Sequence, residues 1–525
     1  MLELIYKYGE FFKQFETDLS FMKLLQPKYE TIRYYLEIDI SENKKVTSVW
    51  KDGFNPDIVN KACFFQSANF FMGAGCLVYA KNNEEEKIKT KIKNSLAFIE
   101  CDTSTLDEIY KIIDENVTAY NVDFFVILTK ERKTPYELYS PKAEELISNS
   151  YYKPHGKKSL TCHLCGKNKI LYEKIGYTFF TNDKENYGCT ETFPFLICDE
   201  CLKKILLAKL KIEDYFTGFW CGSRVMVLPH VINDEIVDSF RFYRISDAEA
   251  DQKLLDRFRE NEEDILEFLS NEVFKAVDFI FYNENNSETK INYHIHDALP
   301  SQFSKLSKAI KANDLKLKDV FFCFCNTPKE RMRIIDILLK SKDYAETIFY
   351  TRLLNSYLKS FRGGYTSYTK TLNIYNLFIS QECIKGGKIN MKSYQNYNDL
   401  FNDHPDRFCS NIEKAWFLLG KLYNSLVYYS KDYHDSSESS YQKTLMLNAS
   451  FDEKFFLKTA SLCEQKIMVY GKLNSFVKNM IADLSSFFSL KERAIESYEA
   501  KFLFFWGYNQ YFETSKIEGK ETVNE

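Results

Sequence analysis

Two CxxC pairs are the residues of this chain with the clearest capacity for chemistry. Cys162-His-Leu-Cys165 is followed by Gly166 and, after 32 intervening residues, by Cys198-Asp-Glu-Cys201. Each pair forms a tight knuckle that aims two thiolates at one centre, and two pairs complete the tetrahedral shell that Zn²⁺ takes. Gly166 suits the turn after the second thiolate. Four protein thiolates leave no position for water, so the zinc expected on Cys162, Cys165, Cys198 and Cys201 is structural, not catalytic. Four thiolates on one dication leave a net charge of about −2. Lys167, Lys169, Lys203 and Lys204 sit beside the knuckles and can offset it. His163 and Cys189 are the substitute ligands nearby. The intervening segment is longer than in compact fingers. It is expected to fold as an insertion, with a strand pair through 177–180 and 193–197.

Other candidates are weaker. His294-Ile-His296-Asp297 resembles half of a metal site, since alternation puts both histidines on one strand face. His404-Pro-Asp406 carries less. The chain has no Gly-x4-Gly-Lys-Ser/Thr loop, no Gly-x-Ser-x-Gly elbow and no His-Glu-x-x-His helix. Charge supplies a further candidate. The whole chain has 70 Lys+Arg against 74 Asp+Glu, net −4. Cut into blocks, 251–300 is net −7 and 301–400 is net +9. The basic block includes Lys305, Lys308, Lys311, Lys316, Lys318, Arg331, Arg333, Arg352, Lys359 and Arg362. Such a local field can meet phosphates whatever the net charge of the chain. Arg362-Gly-Gly-Tyr365 adds a cation, a close backbone approach and a stacking ring in one loop.

These residues need elements to position them. A length of 525 residues suggests several domains. Apolar content of 45% and a mean hydropathy of −0.37 exclude a polytopic membrane protein and a largely disordered one. The excess of Phe and Tyr, 45 and 36 residues, fits A/T-rich codon usage. With 18 glycines and 10 prolines, long flexible linkers are not expected. The first residues lack the apolar core of a secretory signal, so the 14 cysteines read as reduced thiols plus a metal site in the cytoplasm. The uncharged stretch 62–80 contains Gln66, Asn69, Gly73 and Gly75, and reads as buried structure, not a membrane span.

Residues 1–25 read as helix, with Leu4, Tyr8, Phe11, Phe12 and Phe15 on one side. Ile32, Tyr34, Leu36, Ile38 and Ile40 alternate like a strand, and 122–128 reads as a buried one. Residues 247–275 suggest an acidic helix, and 279–282 with 291–295 a hairpin around 283–289. Beyond about 302 the period is helical; Ile412, Trp416, Leu419, Tyr423 and Leu426 mark one stripe. The fold class expected is α+β. A mixed α/β N-terminal domain (1–150) precedes a zinc-ribbon region (151–230). A mixed, basic region that contacts nucleic acid (231–390) and a helical bundle (391–525) follow.

Several segments in order resemble the large subunit of type I-B CRISPR Cascade complexes. They are Cys162-His-Leu-Cys165-Gly-Lys, Thr181-Asn-Asp183-Lys184, Phe193-Pro194 before Cys198-Asp-Glu-Cys201, and Val227-Leu228-Pro229. Phe279-Ile-Phe-Tyr282 through His296-Asp-Ala-Leu-Pro300-Ser301, Phe417-Leu-Leu-Gly420-Lys-Leu422 and Phe504-Phe-Trp-Gly507-Tyr continue the series. Their order over about 160–510 carries the resemblance; residues 1–150 add little.

The resemblance implies a non-catalytic subunit of a guide-RNA surveillance complex. It would hold the guide-RNA 5′ end and recognise the protospacer-adjacent motif of target DNA. It would also help R-loop formation and recruit a helicase–nuclease. Its partners would be guide RNA, target DNA and the backbone, guide-end and small subunits of Cascade, with no membrane. The nucleic-acid residues are expected among the basic set above, with Tyr365. In this family the helical C-terminal part resembles the small subunit, and Lys385-Gly-Gly387 before Met391 fits a ribosome-binding sequence ahead of an internal start. Two competing readings are a nuclease using His294, His296 and Asp297, braced by the zinc ribbon, and a zinc-stabilised scaffold with protein partners alone.

Overall fold

A computed structural model of the chain describes residues 1–16, 19, 21–24, 34–41, 45–52, 76–79, 85–120, 122, 124–134, 137–138, 152, 154–156, 158–173, 175–177, 195–242, 264–285, 288–360, 366–389, 392–430 and 449–513. The chain divides into two compact units. The first is Met1–Gly218, Arg224–Leu254 and Phe279–His294; the second is Phe219–Ser223, Leu255–Asp278 and Ile295–Glu525.

The first unit opens with α1 (Leu2–Lys13) and α2 (Phe21–Leu24). Leu4, Tyr8 and Phe12 recur about one turn apart and are buried. The expected stripe ran on to Phe15. The helix stops at Lys13, so Phe15 leaves the buried face and is 61% exposed. Strands β1 (Tyr34–Ile40), β2 (Val46–Asp52), β3 (Cys76–Tyr79) and β4 (Phe124–Lys130) form a mixed sheet in the order β2-β1-β4-β3. β1 pairs antiparallel with β2 and parallel with β4. A parallel neighbour needs a long crossover, and the connection includes α3 (Glu85–Phe98) and α4 (Leu106–Tyr120). Leu36, Ile38 and Ile40 alternate into the core as their spacing predicts. Ile32 lies outside the described residues, as does most of 62–80, whose described piece is β3.

Short ladders follow. β5 (Leu160–Thr161) pairs with β6 (Asn168–Lys169), and β7 (Leu171–Tyr172) with β8 (Ile197–Cys198). The pair expected through 177–180 and 193–197 is in its described part shifted: Ile197 meets Tyr172, while 178–194 lie outside the described residues. The second knuckle begins at Cys198, so the strand entering it aligns with the chain leaving the first. Next come α5 (Asp199–Tyr215), β9 (Thr217–Trp220), β10 (Ser223–Pro229) and α6 (Asp234–Phe242). β11 (Val277–Asn285) and β12 (Glu288–Ala298) complete a second sheet in the order β12-β11-β10-β9. Both hairpin strands run further than their apolar cores suggest, and 286–287 between them lie outside the described residues.

The second unit is mainly helical: α7 (Asp264–Leu269), α8 (Pro300–Ala312), α9 (Leu317–Phe324), α10 (Pro328–Leu339), α11 (Glu346–Ser360), α12 (Thr366–Ser380), α13 (Tyr397–Asp403), α14 (Asn411–Ser430), α15 (Glu453–Val469), α16 (Ser475–Ser489) and α17 (Ser497–Asn509). The mixed N-terminal part and helical C-terminal part are the expected α+β class. Of the acidic helix expected over 247–275 the described helical piece is α7; 243–263 lie outside the described residues, and after Leu269 the chain turns away. Sequence sets helix starts directly. Thr327 accepts from the Glu330 amide while the Glu330 carboxylate accepts from the Thr327 amide, with Pro328 next in line.

The core of this unit centres on α14, whose Ile412, Trp416, Leu419, Tyr423 and Leu426 are all buried. α14 and α17 cross at contact distance. A Cβ on Gly420 would lie 1.8 Å from the Phe504 carbonyl oxygen, and one on Gly507 would lie 1.9 Å from that of Phe417. Each glycine makes room for the other helix's backbone, so two segments far apart in sequence meet reciprocally. α17 also meets α11: Phe502 packs 5.1 Å from Tyr350, and the Asn509 amide donates to the Tyr357 hydroxyl at 2.7 Å. No helix among the described residues is long and apolar enough to cross a membrane.

Candidate metal centre and basic helical face

The four cysteines converge. All their Sγ atoms lie within 4.8 Å of one another, with Cys162 to Cys201 and Cys165 to Cys198 both at 3.8 Å. A tetrahedral ion with metal–sulfur bonds of about 2.3 Å needs sulfur–sulfur edges of about 3.8 Å. The first knuckle closes when the Gly166 amide donates to the Cys162 carbonyl at 3.0 Å, with Gly166 at φ +70°. The Cys198 amide donates to the Cys162 sulfur at 3.4 Å. Cys198 caps α5 and Cys201 lies in its first turn, where the positive end of the helix favours thiolate.

The donor set fits a dication. Burial raises the Cys162 thiol, but amides of Cys165, Cys198 and Leu164 outweigh it and bring the thiol down to about 7. Burial and then the neighbouring sulfurs push Cys201 far up, and burial pushes Cys198 up. Four sulfurs this close cannot all ionise without a cation between them. Zn²⁺ would be held by Cys162, Cys165, Cys198 and Cys201, and would supply a fixed cross-link between the knuckles.

His163 is turned to another task. Its Nδ1 accepts from the Leu196 amide at 3.1 Å, while its own amide donates to the Leu196 carbonyl. Cys189 lies outside the described residues. The flanking lysines are also partly committed: Lys169 pairs with Glu200 at 2.7 Å, Lys203 faces Asp199 at 3.8 Å, and Lys204 meets Glu10 and the Tyr6 hydroxyl at 2.8 Å. Carboxylates therefore share the positive charge expected to offset the thiolates. Lys204 also ties α5, which carries Cys201, to α1, where Tyr8 packs 5.1 Å from Phe216 and donates to the Pro229 carbonyl. Nothing in the spacing of these residues foretells this brace.

The basic set spreads over the second unit's helices. On α8, Lys305 pairs with Glu382 at 3.0 Å and Lys311 with Glu267 at 2.7 Å. Lys308, Lys316, Lys318 and Arg333 are exposed and make no ion pair among the described residues. Arg352 pairs with Glu330 at 2.7 Å and donates to the Phe324 carbonyl. Arg331 lies over the Phe321 ring at 5.6 Å. Lys318, Arg331 and Arg352 come together at one cleft. The Lys359 side chain, Arg362, Tyr365 and Met391 lie outside the described residues.

Asp278, which the sequence reading did not single out, is buried within hydrogen-bond reach of the hairpin's end. Its Oδ1 accepts from the Asp297 amide at 2.9 Å, and its Oδ2 lies 3.6 Å from Nδ1 of His296. Asp297 itself adopts φ +49°. The buried carboxylate thus has a local structural task, holding the strand end where Asp297 turns.

Residues 159–298 match the family described as CRISPR-associated protein TM1802 central domain. A search of curated proteins found no match. The family match contains both knuckles and runs to the last residue of β12. It supports a CRISPR-associated role.

Proposed function

We propose that the chain is the non-catalytic large subunit of a type I-B CRISPR Cascade surveillance complex. It acts in the cytoplasm with guide RNA, target DNA and the backbone, guide-end and small subunits. It holds the guide-RNA 5′ end, recognises the protospacer-adjacent motif, helps open the R-loop and recruits a helicase–nuclease. The observation that carries this reading is the match over 159–298, which encloses the complete cysteine set.

The physical division of labour is coherent. Base pairing reads the long target, and a protein needs to read only a few base edges. Structural zinc fixes the ribbon that presents such a surface. Cations on the second unit's helices can neutralise phosphates without base specificity.

The test is co-expression of the chain with its neighbouring genes. The reading expects co-purification with a short guide RNA and several copies of one backbone protein, and one zinc per chain by native mass spectrometry. A chain that purifies without RNA and cuts DNA, with cleavage abolished by His296→Ala, would replace this reading with the nuclease. Partner binding that survives charge reversal at Lys308, Lys316 and Lys318, with no salt-dependent nucleic-acid binding, would replace it with a protein scaffold.

A further inference from the structure

The chain presents a cleft of about 500 Å³ between α9, α10 and α11, within the roughly 300–1,000 Å³ of small-ligand sites. We propose that it takes one unstacked nucleotide of a single polynucleotide strand, its base against Phe322 and its phosphate between Lys318 and Arg331. This rests on the nucleic-acid-binding role proposed above and names the chemistry of one site within it.

The argument begins with α9. Leu317, Val320, Phe321 and Phe324 occupy i, i+3, i+4 and i+7, and all are buried. Phe322 falls off that face. It is 72% exposed, against 4% for Phe321 and 1% for Phe324, yet it lines the cleft. Lys318 is one turn before Phe322 on the same side of the helix. Arg331 reaches the cleft from α10 with its guanidinium laid on Phe321. An aromatic face between two cations is a complement for a base and its phosphate.

The remaining lining keeps the site positive. The Phe324 carbonyl, at the negative end of α9, is covered by Arg352, which Glu330 in turn neutralises. Burial raises the Cys323 thiol and pushes Cys325 up to about 12, so both stay uncharged at neutral pH. Lys318 and Arg331 are then left to attract an anion. Asn326 and Asn355, both exposed at the rim, offer amides to base edges or sugar. A base inside a duplex has both faces stacked, so contact with Phe322 requires an unpaired one.

The test uses the full zinc-loaded chain and matched oligonucleotides containing 2-aminopurine: single-stranded RNA, single-stranded DNA and duplex. Phe322→Ala is expected to weaken binding of a single strand about tenfold and to abolish its 2-aminopurine fluorescence change. Phe322→Tyr should retain both. Lys318→Gln should lower the salt slope by about 0.7. Whether the RNA or the DNA arm responds identifies the strand. Single-strand binding that is unchanged in Phe322→Ala overturns the cleft and leaves the proposed function standing. Binding of no nucleic acid by the full chain overturns both. Displacement of the oligonucleotide by an equal concentration of poly-glutamate assigns the cleft to an acidic peptide and overturns the nucleotide.

Discussion

Around the knuckles, β5 to β8 are two residues each, and such ladders cannot bury a core. Their positions depend on four sulfurs brought to one point. At the crossing of α14 and α17 no ion is involved. There, two glycines let the backbones at Phe417 and Phe504 approach, and the Phe417 ring packs 5.5 Å from Trp506 across the two helices. One region converges on four sulfurs that could hold an ion, the other is fixed by shape. The contrast teaches that the two units should fail under different insults.

Metal removal is the largest expected effect, since structural zinc contributes about 10–16 kcal/mol in finger peptides. A strong chelator should release one zinc per chain and open the knuckles at 160–169 and 195–201 to protease while α14 and α17 stay resistant. Equal cleavage in both parts would dissolve the contrast. Gly420→Val attacks the other side, forcing a side chain into the Phe504 carbonyl. It should cost 3 kcal/mol or more, on the order of a severe overpacking, and leave zinc content unchanged by mass spectrometry.

Lys421, beside that glycine, sharpens the comparison further. Its buried ammonium donates to the Gln510 carbonyl at 2.9 Å, and burial pulls its pKa down to about 8. Unfolding returns it to about 10.4, so between these values the unfolded chain binds more protons at this group, and its contribution to stability rises with pH. Lys421 alone should contribute about 2 kcal/mol of stability gained from pH 8 to 10, read in denaturant titrations as the difference between the unaltered chain and Lys421→Met. Thiols and tyrosines raised by burial, such as Cys325 and Tyr423, act in the opposite sense over the same range, so the contribution of Lys421 is the difference between the two profiles and not the net slope. The smallest effect is expected from His163→Ala. Losing the bond to the Leu196 amide should cost about 1 kcal/mol, and zinc stoichiometry should stay at one; loss of zinc would make His163 a ligand.

The metal site was the most legible part because its signal is local: residues three apart must face one centre, whatever surrounds them. The α14 stripe and the alternation in β1 were legible for the same reason. The β7–β8 pairing was not, since strands of two residues carry no period to read. Nor was the brace from α1, which depends on Tyr8 meeting Pro229 across more than two hundred positions. Phe322 was hidden inside an apolar run, although the spacing of Phe321 and Phe324 already leaves it off the buried face. The basic block looked uniform in sequence; Glu267, Glu330 and Glu382 divide it into committed and uncommitted cations.

The reciprocal glycines also set a clock. Gly507 follows Gly420 by about ninety residues, and at about 5–20 residues per second a translating chain spends on the order of ten seconds with α14 finished and α17 unmade. Throughout that interval the groove over Gly420 is open and flanked by aromatic side chains. The second unit's core is therefore completed late in synthesis, and a pause between codons 430 and 497 lengthens its exposure to chaperones and to premature aggregation.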